Sequence, residues 1–99
     1  MVLIHVSVKT REDVVNKFEC TLREVVRNAG KVAGCIKYEW YRIPDSPQGY
    51  AIYGEFNSQE DFEEYLNSSI VQQIGAELIP LLVSPPDFKH YTATILEES

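Results

Sequence analysis

The sequence predicts an α+β fold in which helices cover one face of an antiparallel sheet. Three observations support this prediction: four segments with alternating apolar side chains, two segments with apolar residues every three or four positions, and dense turn chemistry between the two middle strands. With 99 residues, 44% of them hydrophobic, the chain has the size and composition of one globular domain, which we place over residues 1–99.

The first strand and the first helix are predicted from their apolar spacing. Residues 2–9 carry a β-branched apolar residue at every second position. Residues 10–13 match a capping box, so we expect a helix over 11–29, closed by Gly30 in the left-handed conformation. Its apolar stripe follows spacings of four, four, three and four: Val14, Phe18, Leu22, Val25 and Ala29.

The middle of the chain predicts a hairpin. Residues 34–43 and 50–57 are rich in aromatic and β-branched residues, and the segment between them, PDSPQG, is a long turn. Gly54 inside the second strand predicts either a bulge or a close approach by another group.

A second helical region and a last strand complete the chain. A capping box at 58–61 begins the region, which 67–69 interrupts. A second apolar stripe follows, Pro80 weakens its end, and two further prolines stop it before a strand predicted over 87–96. The stripe consists of Val71, Ile74, Leu78 and Leu82.

The resulting order, β-α-β-β-α-β, is the ferredoxin-like arrangement with a four-stranded antiparallel sheet. Helices cover only one face of such a sheet. The other face carries aromatic and polar groups and needs a cover, for which a second copy of the same sheet is the simplest candidate. The sequence therefore predicts a homodimer.

Charge and cysteine content exclude several classes of protein. The net charge of −6, without a Lys/Arg cluster, argues against nucleic acid and against anionic membranes as partners. No apolar stretch approaches the length of a membrane span, and the N-terminal segment lacks a basic region and a cleavage site. Cys20 and Cys35 lack metal-ligand spacing. We expect a cytoplasmic protein with two reduced, buried thiols, no metal and no cofactor.

An ordered set of residues resembles the signature of the antibiotic-biosynthesis-monooxygenase domain family. The set spans most of the chain: Gly34, Cys35, Tyr38, Glu39, Arg42, Asp45, Pro47, Tyr53, Glu55, Ser58, Leu66 and Ser68. The resemblance implies a dimeric α/β barrel with two sheets packed face to face and helices outside. Some members of this family are cofactor-independent monooxygenases acting on quinols or anthrone-like polyketides, some degrade haem, and others act on small signalling molecules.

The chain departs from the family at four positions. Tyr65 stands where many members carry a histidine, and Ile70 lies near a second such position. The haem-degrading members use a helix histidine and a strand tryptophan, which correspond here to Gly75 and Phe56. Haem degradation is therefore not expected.

Two histidines and a set of aromatic residues are the candidate site. His5 and His90 lie on strands predicted to be neighbours, so they approach each other or the dimer seam, and one would act as a general base. Tyr65 is a third catalytic candidate. The substrate-binding candidates are Tyr38, Trp40, Tyr53 and Phe56, with Tyr hydroxyls orienting a flat aromatic molecule. The alternative is that all of these residues serve the core or the dimer interface.

Two carboxylates, Glu39 and Glu55, lie on the paired middle strands. They either share a proton or pair with Arg42 or with a charge across the dimer.

The preferred hypothesis is a cofactor-independent monooxygenase for a small aromatic substrate. Once deprotonated, an electron-rich substrate can pass an electron to oxygen itself, so the protein need only take the proton, exclude water and stabilise the anion. The alternatives are a dimer that binds a small molecule or serves a stress response without catalysis, and an isomerase or lyase on the same fold. A pocket of at least about 300 Å³ with a histidine and a tyrosine at its wall would favour an enzyme. A filled core with both histidines bonded to backbone would favour the non-catalytic binder.

Overall fold

The computed structural model describes residues 1–96, and the predicted domain extends three residues beyond that range. Within it, four strands form one antiparallel sheet in the order β2-β3-β1-β4. The strands are β1 (Val2–Lys9), β2 (Cys35–Arg42), β3 (Gly49–Phe56) and β4 (Asp87–Thr92), and the helices are α1 (Val15–Ala29), α2 (Gln59–Leu66) and α3 (Ser69–Gln73). This is the predicted α+β, ferredoxin-like arrangement.

The first strand, β1, lies inside the sheet and is the neighbour of the last strand, β4, at the edge, as predicted. The last strand is shorter than the predicted 87–96, because it pairs with β1 and its final residue, Thr92, already faces Val2 at the start of that strand. Beyond Thr92, residues 94–96 have no β1 residue left to pair with.

The predicted capping box at the start of the first helix is wrong. Thr10 is fully buried, and its hydroxyl donates to the carbonyl of Leu81 at 3.0 Å. It therefore joins the end of β1 to the last helical turn. A 3₁₀ turn (Glu12–Val14) follows, and α1 begins only at Val15.

The left-handed residue also falls elsewhere than predicted. Gly30 has a φ of −64°, an ordinary right-handed value, so the helix end needs no special residue there. Gly34, at a φ of 83°, makes the left-handed turn into β2, and a Cβ at this position would collide with the side chain of Asp61.

The second helical region begins as predicted and then changes pitch. The Ser58 hydroxyl oxygen accepts from the backbone N–H of Asp61 at 3.1 Å, and this contact caps α2. After α3 the chain widens into a π turn (Ile74–Leu78) and tightens into a 3₁₀ turn (Ile79–Leu81) that contains Pro80. None of the helices in residues 1–96 combines the length and the apolar character needed to span a bilayer.

The core lies between the helices and one face of the sheet. It contains the predicted α1 stripe and the alternating apolar residues of β1 and β3. Gly54 lies where a Cβ would be 3.0 Å from Cγ1 of Ile4, so a close approach, and not a bulge, explains this glycine. The bulge falls on β2, between Cys35 and Lys37.

An ion pair and a hydrogen bond join α1 to the hairpin. Both oxygens of the Glu19 carboxylate accept from Arg42, at 2.6 and 3.1 Å, and the Tyr50 hydroxyl donates to one of them at 2.6 Å. The hydrogen bonds from Arg42, and then from Tyr50, hold the pKa of Glu19 below its ordinary value of 4.5. Burial of the Tyr50 ring and its bond to Glu19 raise the pKa of Tyr50 to about 12.

We expect Glu19→Gln to remove part of the acid sensitivity of the fold. Because the folded-state pKa is lowered, the contribution of Glu19 to stability is complete above 4.5 and is lost as the pH falls through the folded-state value. The variant should therefore be less stable than the parent at neutral pH, and the difference should shrink as the pH falls below 4.5. Urea unfolding across this range measures it, with Glu24→Gln, an exposed carboxylate on the same helix, as the control. A difference that stays constant with pH would contradict the expectation.

Candidate functional site

An apolar cavity of about 140 Å³ lies between the helix-covered face of the sheet and the second helical region. Strand residues form its floor, and residues of α3 and the π turn form its roof. The floor includes Val6, Val8, Ile52 and Phe88, and the roof includes Val71, Ile74 and Leu78. The volume is close to that of an engineered protein cavity that binds benzene, so the space matches one aromatic ring.

Two tyrosines supply the polar groups of this cavity wall within residues 1–96. The hydroxyls of Tyr38, on β2, and Tyr65, on α2, are 2.7 Å apart and hydrogen-bonded to each other. Only 8% of Tyr38 and 3% of Tyr65 is exposed to solvent. Burial raises the pKa of both phenols, so both keep their protons at neutral pH.

The pair has hydrogen-bonding capacity to spare. Two phenols carry two hydroxyl hydrogens, and the bond between them uses one. The tyrosine that accepts in this bond keeps its own hydrogen to donate, and both oxygens keep lone pairs. The pair can therefore donate one hydrogen bond to the oxygen of a bound molecule and accept another.

Packing fixes the two tyrosine rings. Gly54 lies opposite Tyr38 on β3, and a Cβ there would be 3.1 Å from the Tyr38 ring, so the glycine makes room for the ring. On the helix side, Tyr65 packs on Phe56 with ring centroids 4.8 Å apart and on Phe62 at 6.3 Å. The aromatic contacts limit the movement of the hydroxyl pair.

The two histidines lie on opposite faces of the sheet. His90 pairs with Ile4, a core residue, and so shares the helix-covered face, whereas His5 pairs with Tyr53 and Lys89 on the other face. The prediction that they approach each other is therefore wrong, because β1 and β4 pair even with even and odd with odd positions, which separates His5 from His90. Both are exposed, and the ring of His90 lies 5.8 Å from Phe88 at the cavity and 5.5 Å from Phe62.

Of the predicted substrate-binding residues, the cavity contains Tyr38 and not the other three. Phe56 is fully buried behind Tyr65. Trp40 lies at the sheet edge, where the guanidinium groups of Arg23 and Arg42 are 5.7 and 5.3 Å from its ring. Tyr53 is on the opposite face and donates to Glu55. Strand parity explains the position of Tyr53, whereas Trp40 and Phe56 share the face of Tyr38 and lie at other points along it.

The two predicted carboxylates do not share a proton. Glu39 forms an ion pair with Lys37 at 3.3 Å, and Glu55 accepts from the Tyr53 hydroxyl. Arg42 pairs with Glu19 and not with either of them. Across the part of the chain that the structure describes, no three His, Cys, Asp or Glu side chains converge as a metal site.

The prediction that both thiols are buried is wrong for Cys20. It lies off the apolar stripe of α1 and is exposed, whereas Cys35 is half-buried beside the core. Burial raises the pKa of the Cys35 thiol.

The sequence does not predict the aliphatic wall of the cavity. The spacing of Val71, Ile74 and Leu78 predicts a helical stripe packed in the core and not an empty space. The signal for a space was the pair of helix breakers around them: the 67–69 interruption and Pro80 keep this region from packing as one straight helix.

Comparison with known proteins identifies the family. A family model described as antibiotic biosynthesis monooxygenase matches residues 1–77, which is most of the chain. The chain therefore belongs to the antibiotic biosynthesis monooxygenase family. No curated protein matches the sequence.

Solved structures agree on the fold. A Deinococcus radiodurans protein, provisionally named an antibiotic biosynthesis monooxygenase, superposes with a TM-score of 0.88 at 17% identity, over 100% of this chain and 98% of that one. A Nitrosomonas europaea protein with the same provisional name gives 0.87 at 13%, over 96% and 100%. A Mycobacterium tuberculosis protein gives 0.86 at 19%, over 99% and 98%. At such identities the likeness defines the fold and not the reaction.

We expect the two cavity tyrosines to be energetically coupled. Tyr38→Phe and Tyr65→Phe should each cost about 1–3 kcal/mol, because each leaves a buried hydroxyl without its partner. The double variant should cost less than the sum of the two, with a coupling of about 0.5 kcal/mol or more. Urea unfolding of the four proteins measures this, and Ser84→Ala, which removes an exposed hydroxyl outside the cavity wall, is the control. Additive losses would show that the two hydroxyls act independently.

Proposed function

We propose that the protein is a cofactor-independent monooxygenase for small quinols with a single aromatic ring. One observation carries the proposal: the apolar cavity has the size of one ring and ends at a hydrogen-bonded tyrosine pair with a free donor. An apolar cavity of this size suits an aromatic ring, and the pair holds one ring oxygen in place. Membership of the monooxygenase family supports the reaction type.

The proposed reaction needs no external reductant. A hydroquinone and dioxygen give a hydroxyquinone and water: one oxygen atom forms a new bond to a ring carbon, and the other leaves as water with two hydrogens of the substrate. The ring supplies all four electrons. The protein orients the ring, excludes bulk water and stabilises the anion through the hydrogen bond from the tyrosine pair.

The outer hydroxyl of the quinol must lose its proton. With one oxygen held at Tyr38 and Tyr65, a para-hydroxyl points away from the pair, towards the mouth of the cavity. His90 is the histidine on this side of the sheet, and its ring lies beside Phe88 in the cavity wall. We assign to His90 the removal of this proton through an intervening water.

Oxygen uptake by the purified protein, without added cofactor, tests the proposal. We expect uptake above autoxidation with single-ring hydroquinones and none with three-ring anthrones, which exceed a space of about 140 Å³. Val71→Phe, which fills the cavity from its roof, should lower uptake at least about tenfold at an unchanged melting temperature. Ile36→Phe is the matched control, because Ile36 is 51% exposed and lies outside the cavity wall.

The histidine variants complete this test. His90→Ala should lower the rate towards the low end of general-base contributions, about 10²-fold, and His5→Ala should not. Equal losses in both variants would contradict the assignment of the base. Absence of uptake across the whole panel would refute the monooxygenase.

A non-catalytic small-molecule binder is the second candidate. Two observations favour it. The cavity wall contains no histidine among residues 1–96, and the cavity volume is smaller than that of the pocket expected for an enzyme. Hydroquinone binding under nitrogen, without uptake when oxygen is admitted, would favour this second candidate.

We also propose that the protein forms a homodimer through the sheet face that carries no helix. Tyr41, Tyr53 and Tyr91 lie on this face. Its charges balance, with three cationic and three acidic side chains, so two copies can meet without net repulsion. These side chains are Lys9, Lys37, Lys89, Glu39, Glu55 and Asp87.

One positively charged side chain introduced at the centre of this face should dissociate the dimer. Ala51 lies opposite Ser7 and Tyr41 in the middle of the sheet, so Ala51→Arg adds a bulky charge where two sheets would meet. Light scattering after size exclusion should give a dimer for the parent and a monomer for the variant. Gln72→Arg, at an exposed position on α3, is the control. A monomeric parent would refute the proposed dimer.

A further inference from the structure

The mouth of the cavity is apolar. Three residues line the cavity and are also substantially exposed to solvent, so they lie where it opens: Leu66 at 42%, Ile79 at 38% and Phe88 at 44%. They come from three separate elements, the end of α2, the 3₁₀ turn and β4. A mouth meant only for small polar quinols would gain nothing from three exposed apolar side chains in contact with one opening.

The polar end of the cavity is more deeply buried than this mouth. Tyr38 and Tyr65 are almost fully buried, and Tyr38 lies on β2, at one edge of the sheet. Phe88 lies on β4, at the opposite edge of the sheet, whereas Leu66 directly follows Tyr65 in α2. Apolar residues of β3 and β1, Ile52 and Val6, line the cavity between the two edges.

A single ring held by the tyrosine pair fills the volume of the cavity, so any further atoms of the ligand leave through the apolar mouth. A ligand that matches the polar end, the interior and the mouth has an oxygen at one end, an aromatic ring next to it, and a flexible hydrocarbon chain beyond the ring. A second ring fused to the first would need width in the interior, where the volume is that of one ring.

We propose that the ligand is a single-ring quinol or phenol with an alkyl or prenyl tail, whose tail passes between Leu66, Ile79 and Phe88. This inference rests on the proposed function for the position of the ring. It adds the class of substrate and the residues that select it. Each tail methylene that contacts the mouth leaves water, and this gains roughly three- to fourfold in affinity.

Anaerobic binding of a hydroquinone series tests the inference separately from catalysis. The probes are methyl-, butyl- and octyl-hydroquinone, titrated by calorimetry under nitrogen so that no turnover occurs. We expect affinity to rise from methyl to butyl by at least about tenfold. In Phe88→Thr and in Leu66→Gln the butyl-to-methyl affinity ratio should fall towards one. The ratio is taken within each variant, so a general loss of folding or binding does not imitate the result.

Val83→Thr is the control, because Val83 is 52% exposed and is not part of the cavity wall. It should keep the butyl-to-methyl ratio of the parent. A ratio near one in the parent would overturn the inference, and so would a high ratio that persists in both mouth variants, since that is nonspecific partitioning. Failure of every probe to bind would overturn it as well.

Admitting oxygen to the same samples then tests the proposed function independently. A tail-dependent affinity without oxygen uptake supports the ligand class and refutes the monooxygenase. Uptake that is equal for all tails, with a flat affinity series, supports the monooxygenase and refutes the tailed ligand.

Discussion

The parity of the four strands is the constraint on which the rest of the structure depends. Because successive side chains on a strand point to opposite faces, the register of the sheet assigns every strand residue either to the helices or to the uncovered face. Val2 and Ile4 are thereby buried under the helices, and His5, between Ile4 and Val6, is excluded from them. The same parity brings Tyr38 to the cavity and leaves Tyr53 behind it.

This constraint also explains why the fold was predictable and the site was not. The alternation of β1, the stripe of α1 and the capping box at Ser58 are local patterns, and each was confirmed within a few residues. The face of His90 depends on the register between β1 and β4, which are far apart in the sequence. In the segment DFKHYT both parities carry an aromatic residue, so the pattern alone does not show which face is buried.

The errors at the ends of elements have the same origin. Thr10 matches a helix cap by its spacing, but its hydroxyl is used by the carbonyl of Leu81, 71 residues away in the chain. A long-range partner outcompetes a local one when the residue is fully buried, because every buried polar group requires a partner. The cavity escaped prediction for a related reason. An empty space depends on how two segments pack against each other, so the sequence of either segment alone does not predict it.

The π turn at Ile74–Leu78 has a consequence for how such a fold diversifies. A π turn holds one residue more than the α-helical turn it replaces, so it is a place where the chain length can change by one without disturbing the sheet. A deletion in a regular α-helix rotates the following side chains by about 100° around the helix axis, whereas removal of the extra residue of a π turn restores the α-helical pitch and changes mainly the turn itself. Ile74 and Leu78 form part of the cavity roof, and Gly75 between them has open space around it. Insertions or deletions in this one turn can therefore change the shape of the cavity in related proteins, while the lengths and register of the four strands stay the same.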